Sequence, residues 1–397
     1  YNKEEIFVKY MNSAYFFKGF NGKHLYGVSA AASGLFNKDV KDLTLPEAAY
    51  IAGMVQRPVS YSPLKEEKLE LGIERMKLVL SQMRKYELIT EEEYQDAINY
   101  DITKSLAKPE DFTNAYKEYP FIISAIEREA TEIFKEIDKK DGVEKKDIEY
   151  HNQVSQGGYK IYTSIDKALY DEMNKAGDSI NRPTRTYKGI KVEEQVGAVM
   201  INNATGEVLS FYAGKDFSKN QMDFAFEAET QPGSAIKPLL AYGPALNENI
   251  ISPNSMILDE PLAKSDGSGV YRNSGGNYRG PVTATAALQH SYNIPAVKLY
   301  RSLVNQIGRD KLYDYITRMG IPPHKNDGEA LVLGGATEGY TVAEMTGAFQ
   351  MIANNGQYIK PHLITKIEDA DGNVVYDATQ SIKPDQIFKP EAANALQ

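Results

Sequence analysis

The chain has 397 residues, 42% of them apolar and 25% charged, and carries a formal net charge of −9. That length predicts two or three domains at roughly 100–200 residues each, and the composition excludes wholesale disorder, collagen and coiled coil. The acid excess leaves no basic footprint for nucleic acid, and the absence of cysteine excludes disulfides, thiol nucleophiles and Cys-ligated zinc.

The histidines His24, His151, His290, His324 and His362 are far apart and show no HxxxH spacing, so no metal site is predicted. No apolar run is long enough to span a membrane, and no signal peptide is visible. Lack of cysteine fits a cytosolic protein and also an exported bacterial one. The chain opens on Tyr1 rather than Met and stops at Gln397 inside KPEAANALQ, a helix start, so it reads as a fragment or a processed form.

The first hundred residues read as helical. Ile6, Phe7, Tyr10 and Met11 form an apolar stripe in KEEIFVKYMNSAYF. KGFNGKHLYG reads as a Gly-rich loop, and VSAAASGLF supplies small residues suited to close helix packing; no GKS or GKT makes it a phosphate loop. In LTLPEAAYIAGMV, Thr44 and Glu47 have capping-box spacing, with Pro46 in the first turn. A third helix is predicted from about Glu66 to Arg84, and Thr90 caps a fourth.

From about 105 to 155 the chain is charged and mixed, and KEIDKKDGVEKKDIEY reads as a solvated helix and turn. GGYKIYTSID is a predicted strand, Asp166 begins a helix, and RPTRTYKG reads as a loop. VGAVMINNATGEVLSFYAG holds two strands around Asn-Asn-Ala-Thr-Gly, a hairpin signal. A helix opens at Ser234 and runs through KPLLAYGPAL. A hairpin-like region follows, and VTATAALQHSYNIPAVKLYRSLV then holds two helical runs, the second starting at or after Pro295. HLITKIEDADGNVVYD reads as a two-strand ribbon with Asp371-Gly372 at its turn.

The most informative segment is Gln231-Pro232-Gly233-Ser234-Ala235-Ile236-Lys237-Pro238. Pro-Gly makes a turn, and Pro238 is tolerated only in a first helical turn, so Ser234 is placed at or just before the helix start. Residues three apart share a helical face, so Ser234 Oγ and Lys237 Nζ can meet there. The helix end favours negative charge on the hydroxyl and offers the Ser234 N–H as an oxyanion donor. Serine is a weak nucleophile that needs a base, no histidine lies nearby in sequence, and lysine serves only when neutral.

Ser-x-x-Lys also occurs at Ser62/Lys65, Ser105/Lys108 and Ser164/Lys167, and a helix cap beside an exposed lysine is the plain alternative. Only the Ser234 example opens a helix behind Pro-Gly. Ser-x-Asn occurs at Ser291-Tyr292-Asn293, and also at Ser179, Ser218 and Ser252. The first lies between two helical runs. There Ser291 can relay a proton to a leaving group, and Asn293 can bond a substrate amide and hold Lys237.

QPGSAIKP with SYN resembles the penicillin-binding transpeptidase and serine β-lactamase superfamily. GGYKIYTSID, VGAVMINNATGEVLSFYAGKDF, GPVTATAALQHSYNIPAV and LGGATEGYTVAEMTGAFQMIANNGQYIKPHLI extend the likeness to class A, bifunctional penicillin-binding proteins of Gram-positive type. KEEIFVKYMNSAYF and GVSAAASGLFNKDVKDLTLPEAAYIAGMVQRPVSYSP resemble the C-terminal motifs of the peptidoglycan glycosyltransferase domain that precedes the transpeptidase in that class.

The resemblance implies a multidomain chain. Residues 1–105 would be the mainly α C-terminal piece of a lysozyme-like glycosyltransferase domain, and 106–192 a small α/β linker. Residues 193–397 would be an α+β transpeptidase domain of the penicillin-binding/serine β-lactamase-like fold. It implies peptidoglycan synthesis. A serine acyl-enzyme cross-links stem peptides, and in the intact protein the N-terminal domain polymerises glycan strands from lipid II. Ser234 would be the nucleophile, Lys237 the general base, Ser291 the proton relay, and Asn293 the residue positioning substrate and lysine. Gly334 and Gly335 match a family turn near the cleft, as candidate substrate-binding residues, and a plain turn is the competing reading. Asn12 and Tyr15 lie on a polymerase motif, where packing or capping explains them as well.

No cofactor is implied for transpeptidation, and a divalent cation is implied for the glycosyltransferase domain of the intact protein. The implied partners are peptidoglycan stem peptides, lipid II and β-lactam antibiotics. A membrane anchor and cell-wall assembly proteins are expected with the intact protein, at the extracytoplasmic face of the bacterial cell membrane. Two features depart from the family. The third motif, Lys-Thr/Ser-Gly, is absent and expected beyond Gln397; the two polymerase glutamates are expected before Tyr1, so Glu4, Glu5 and Glu47 take no such role. A catalytically inactive scaffold of the same fold, and a β-lactamase or β-lactam sensor, are the alternatives.

Overall fold

A computed structural model describes residues 2–20, 24–111 and 115–397. It divides into two compact units, 1–160 with 367–375, and 161–366 with 376–397. The division at 160/161 falls within the stretch read from sequence as a linker.

The first unit is built from amphipathic helices. Val28–Phe36, Leu45–Met54, Glu66–Lys85 and Glu91–Ile98 surround a core of Phe16, Leu25, Leu35, Tyr50, Met54, Met76 and Leu80. The small residues of helix Val28–Phe36 do what their size allows. Ala31 and Ala32 are fully buried, and a Cβ on Gly34 would lie 2.5 Å from Leu25 Cδ2. Gly72 likewise admits the Tyr50 ring, whose hydroxyl donates to Tyr61 O at 2.9 Å. Farther on, Pro120–Lys140 buries Phe121, Ala125, Ala130, Ile133 and Phe134 along one face, and Asp147–Gln156 packs against it.

Three details of this unit differ from the sequence reading. The Gly-rich loop 18–27 is part of a short antiparallel pair, Tyr15–Lys18 with His24–Tyr26, and its residues 21–23 lie outside the described residues. The apolar stripe of helix Lys3–Ser13 is on the surface: Ile6, Phe7 and Tyr10 are all exposed. The solvated charged run is a pair of helices, and Tyr150 in the second is buried.

Glu47 opens the helix Leu45–Met54. It accepts from the Thr44 N–H at 2.8 Å, the cap expected from the spacing, and from Lys38 Nζ at 2.8 and 3.0 Å. Its side chain is 0% exposed. Burial alone would raise its pKa, but the Lys38 and Thr44 hydrogen bonds outweigh that and hold the carboxyl below the usual glutamate range.

In the second unit, Ala198–Ile201 pairs antiparallel with Val208–Tyr212, as the turn residues require. Helix Lys167–Ser179, capped by Asp166, lies on the second of these strands, and Val342–Ala353 lies beside the first. RPTRTYKG is an exposed hairpin rather than a loop: Thr184–Tyr187 pairs with Ile190–Glu193. Lys188 and Gly189 both take positive φ at its turn, the pattern of a type I′ hairpin, which Lys-Gly does not announce in sequence. The expected ribbon forms as Ile364–Glu368 and Val374–Asp377, of which residues 367–375 are grouped with the first unit.

A buried helical segment runs through the core of this unit and is irregular for a reason. It begins as a 3₁₀ turn at Gly233–Ala235, widens to π geometry at Pro238–Tyr242 and ends as α-helix at Gly243–Asn247. Pro244 has no N–H for the Leu240 carbonyl, and the Gly243 N–H bonds instead to Pro238 O, five residues back. Ile236, Leu239, Leu240 and Ala241 are fully buried against Val297, Leu303, Met319, Leu331, Met351 and Phe388. That packing fixes the residues flanking Lys237.

Glu47→Gln is expected to lower thermal stability at neutral pH by about 1–3 kcal/mol, the cost of weakening a buried hydrogen-bonded charge. A depressed carboxylate pKa contributes stability only above that pKa, so the gap between wild type and variant should close as pH falls through it. Thermal melts across the acid range check both points.

Candidate active site

The centre of the site is an amine. Lys237 is 1% exposed, and its Nζ donates to three oxygens: Ser291 O at 2.7 Å, Ser291 Oγ at 3.0 Å and Asn293 Oδ1 at 2.7 Å. No acidic side chain pairs with it among the described residues. Burial pushes its pKa down from 10.5 to about 8, and that shift corresponds to about 3 kcal/mol against the charged form.

The oxygen set suits both protonation states. An ammonium gives one N–H to each of the three acceptors. A neutral amine keeps two N–H groups for Ser291 O and Asn293 Oδ1, which can only accept. Its lone pair is then free to take a proton from a hydroxyl, that of Ser234 or, with its direction reversed, that of Ser291. Asn293 is oriented for this role because its Nδ2 donates to Arg272 O at 2.8 Å, leaving Oδ1 for the lysine.

Local backbone rules place these groups. Helix Ala284–Gln289 ends with Ser291 N–H on Leu288 O and Tyr292 N–H on Ala287 O, the bond pair of a Schellman motif. The left-handed position of that motif usually holds glycine. Here it is Ser291, at φ 54°, so a strained backbone carries the hydroxyl that meets Lys237. The next helix, Asn293–Ile307, starts at Asn293 rather than at or after Pro295. A proline in the first turn needs no N–H partner, so it does not delay the start.

Ser234 lies in the 3₁₀ turn one helical turn before Lys237, and residues so spaced share a face. It is exposed, and among the described residues neither its hydroxyl nor its N–H has a hydrogen-bond partner. Lys237 Nζ is thus joined to Ser291 and Asn293 but not hydrogen-bonded to Ser234.

The Ser234 turn is fastened to the segment 334–340. Thr230 and Tyr340 exchange backbone bonds at 3.0 and 2.9 Å, and Gln231 Nε2 donates to Ala336 O at 3.1 Å. Gly334, at φ 88°, presses on the backbone of Gly233, leaving no room for a Cβ. Buried Asp327 shapes the same segment by accepting from the Thr337 N–H and hydroxyl at 2.8 and 2.6 Å. Gly335 is exposed and closes a turn through its N–H to Ala330 O at 3.0 Å. Gly334 therefore abuts the Ser234 turn, whereas Gly335 ends the 3₁₀ helix Glu329–Leu333.

Sequence reading missed Gln231 and Asp327 as braces of the Ser234 turn and the segment 334–340. Gln231 acts across 105 residues and Asp327 across ten, beyond the reach of helical or strand spacing. Among the described residues no group of three His, Asp or Glu side chains comes together.

Comparison with known proteins finds two families along this chain. Residues 196–397 match the penicillin-binding protein transpeptidase domain, and residues 1–84 match the transglycosylase family. The chain is 31% identical over 406 residues to Penicillin-binding protein 4 of Bacillus subtilis, covering 98% of this chain and 60% of that protein. It is 30% identical to Penicillin-binding protein 1A of Clostridium perfringens, covering 99% and 59%. Penicillin-binding protein 1A of Haemophilus influenzae shares the fold at TM-score 0.52 and 23% identity, over 95% of this chain and 65% of that one. PonA1 of Mycobacterium tuberculosis, solved with penicillin V, gives TM-score 0.53 and 24% identity over 68% of each chain. The chain spans about three fifths of the length of the two bacterial relatives named first.

Gly334→Ala is expected to cost more than about 2 kcal/mol, because a Cβ there meets backbone and the conformation is left-handed. Gly335→Ala, with no positive φ and a Cβ that would lie 3.2 Å from Ala330 O, needs a shift of only a few tenths of an ångström and should cost about 1 kcal/mol or less. Chemical denaturation of the two variants separates them.

Proposed function

Because this chain belongs to the class A penicillin-binding proteins, with a transglycosylase and a transpeptidase domain, we propose that its second unit cross-links peptidoglycan stem peptides through a serine acyl-enzyme. The observation that carries this reading is Lys237, a buried amine without a counter-charge, held by Ser291 and Asn293.

Neutral Lys237 accepts the Ser234 hydroxyl proton as Oγ attacks the carbonyl carbon of the penultimate D-Ala. Negative charge develops on the carbonyl oxygen, and the unpartnered Ser234 N–H is available to it. The amide C–N bond then breaks. Ser291 passes the proton from Lys237 to the departing D-Ala nitrogen, leaving an ester on Ser234. An amine of a neighbouring strand attacks that ester, its proton returns to the serine oxygen through the same lysine, and the cross-link is released. No cofactor enters these steps. A β-lactam follows the first half and stalls as the ester, which makes β-lactam antibiotics ligands of this site.

The same membership supports glycan-strand polymerisation from lipid II by the whole protein. It also supports a place at the extracytoplasmic face of the cell membrane with a membrane anchor and cell-wall assembly partners. No helix among the described residues is long and apolar enough to cross a membrane.

A fluorescent penicillin is expected to label the native full-length protein, and Ser234→Ala to abolish the label. Equal labelling of the variant would refute the assignment of the nucleophile. Lys237→Ala should slow acylation by about 100–10,000-fold while leaving Ser234 in place. The base works only when unprotonated, so the acylation rate should climb with pH to a plateau, with a midpoint near the Lys237 pKa of about 8. Stopped-flow acylation against pH reads that midpoint, and a flat profile from pH 6 to 10 would contradict it.

A further inference from the structure

We propose that Asn273 and Asp259, two buried residues outside the nucleophile segment and the Ser-Tyr-Asn tripeptide, are positioning residues that hold Asn293, and through it Lys237, in the geometry for acylation. This rests on the reading of Lys237 as the base.

The contacts form one continuous chain. Asp259 ends the strand Met256–Asp259 and is 1% exposed. Its two oxygens both accept from Asn273 Nδ2, at 2.9 and 2.8 Å, and Oδ2 also accepts the Arg279 N–H at 2.9 Å. Asn273 Nδ2 reaches Asn277 O at 3.1 Å as well. With its donors so committed, the Asn273 amide presents Oδ1 to the Asn293 N–H at 2.7 Å. The residue beside it in sequence, Arg272, gives its carbonyl to Asn293 Nδ2. Both ends of Asn293, backbone and side chain, are therefore fixed by one dipeptide.

Two physical points make this more than a structural bond. The N–H of Asn293 is the first of its helix and has no intrahelical acceptor, so an acceptor from outside the helix satisfies it, here Asn273 Oδ1. Any acceptor would serve for stability alone. Only one that also fixes the dipeptide 272–273 can fix Asn293 Oδ1, one of two obligate acceptors on the lysine. In addition, Asp259 is a buried carboxylate that pairs with no cation among the described residues. It is satisfied by an amide and a backbone N–H, which dictates the Asn273 amide orientation and so which atom faces Asn293. A slip of about 1 Å at a catalytic group costs up to about 100-fold in rate.

The test is acylation of the native full-length protein by a fluorescent penicillin, resolved into half-saturating concentration and limiting first-order rate. In Asn273→Ala the limiting rate is expected to fall by about 10–100-fold, with the half-saturating concentration changed less than about twofold. Asn273→Asp alone should do at least as badly, since it sets two carboxylates face to face. Exchanging the pair, Asp259→Asn with Asn273→Asp, restores one bond from an amide to a carboxylate and an acceptor for the Asn293 N–H. It also sets a carboxylate oxygen against Asn277 O and against the new amide oxygen at position 259 that keeps the Arg279 N–H. This double variant should recover part of the rate that Asn273→Asp loses, by about threefold or more.

A wild-type limiting rate in Asn273→Ala would overturn the proposal. So would a double variant no better than Asn273→Asp, the outcome of a merely structural role. If wild type itself is never labelled, the acyl-transfer reading falls and takes this inference with it; labelling that needs Ser234 but ignores Asn273 sinks the inference alone.

Discussion

A lysine ammonium buried without a carboxylate is the constraint on which the second unit turns. Water would solvate that charge far better than three oxygens do, so the fold bears a cost while Lys237 is protonated. The cost falls when the proton leaves. Burial is the whole cause of the lowered pKa, and packing maintains it: Ile236 and Leu239 flank the lysine in sequence and are fully buried. The hydrophobic core is thus what makes the amine basic at a useful pH, and the polar groups around it choose where its lone pair points.

The surrounding structure supplies a fixed frame for that choice. On one side, the Schellman turn forces Ser291 into a left-handed conformation and brings both its carbonyl and its hydroxyl to the amine. On the other, the Ser234 turn is clamped to the segment 334–340 through Thr230, Gln231 and the contact of Gly233 with Gly334. The nucleophile and the base therefore share one helical segment, but each is braced by a different part of the fold. Such bracing is what a site needs to keep reacting groups within a few tenths of an ångström.

Much of this was legible in the sequence because the signals are local. Pro-Gly before Ser234 and Pro238 after Lys237 set the helix start, and Thr44 with Glu47 set another. Asn-Asn-Ala-Thr-Gly announced its hairpin. What stayed hidden depends on distance or on unusual backbone. Tyr187-Lys188-Gly189-Ile190 turns through a left-handed lysine, which no propensity favours. Asn293 starts its helix because a remote Asn273 caps it. Glu47 meets Lys38 from outside its own helix, a partner its capping role does not suggest. The widening at Pro238–Tyr242 had a local cause in Pro244, yet periodicity alone reads straight through it.

The most direct measurement is the titration of the Lys237 side chain itself, by NMR of protein labelled with carbon-13 at lysine Cε and assigned with Lys237→Arg. A Cε resonance with its midpoint near pH 8 is expected, well apart from the solvent-exposed lysines. A resonance that titrates with those lysines, near their ordinary value of about 10.4, would mean that the amine is solvated and charged, and that no neutral base stands beside Ser234.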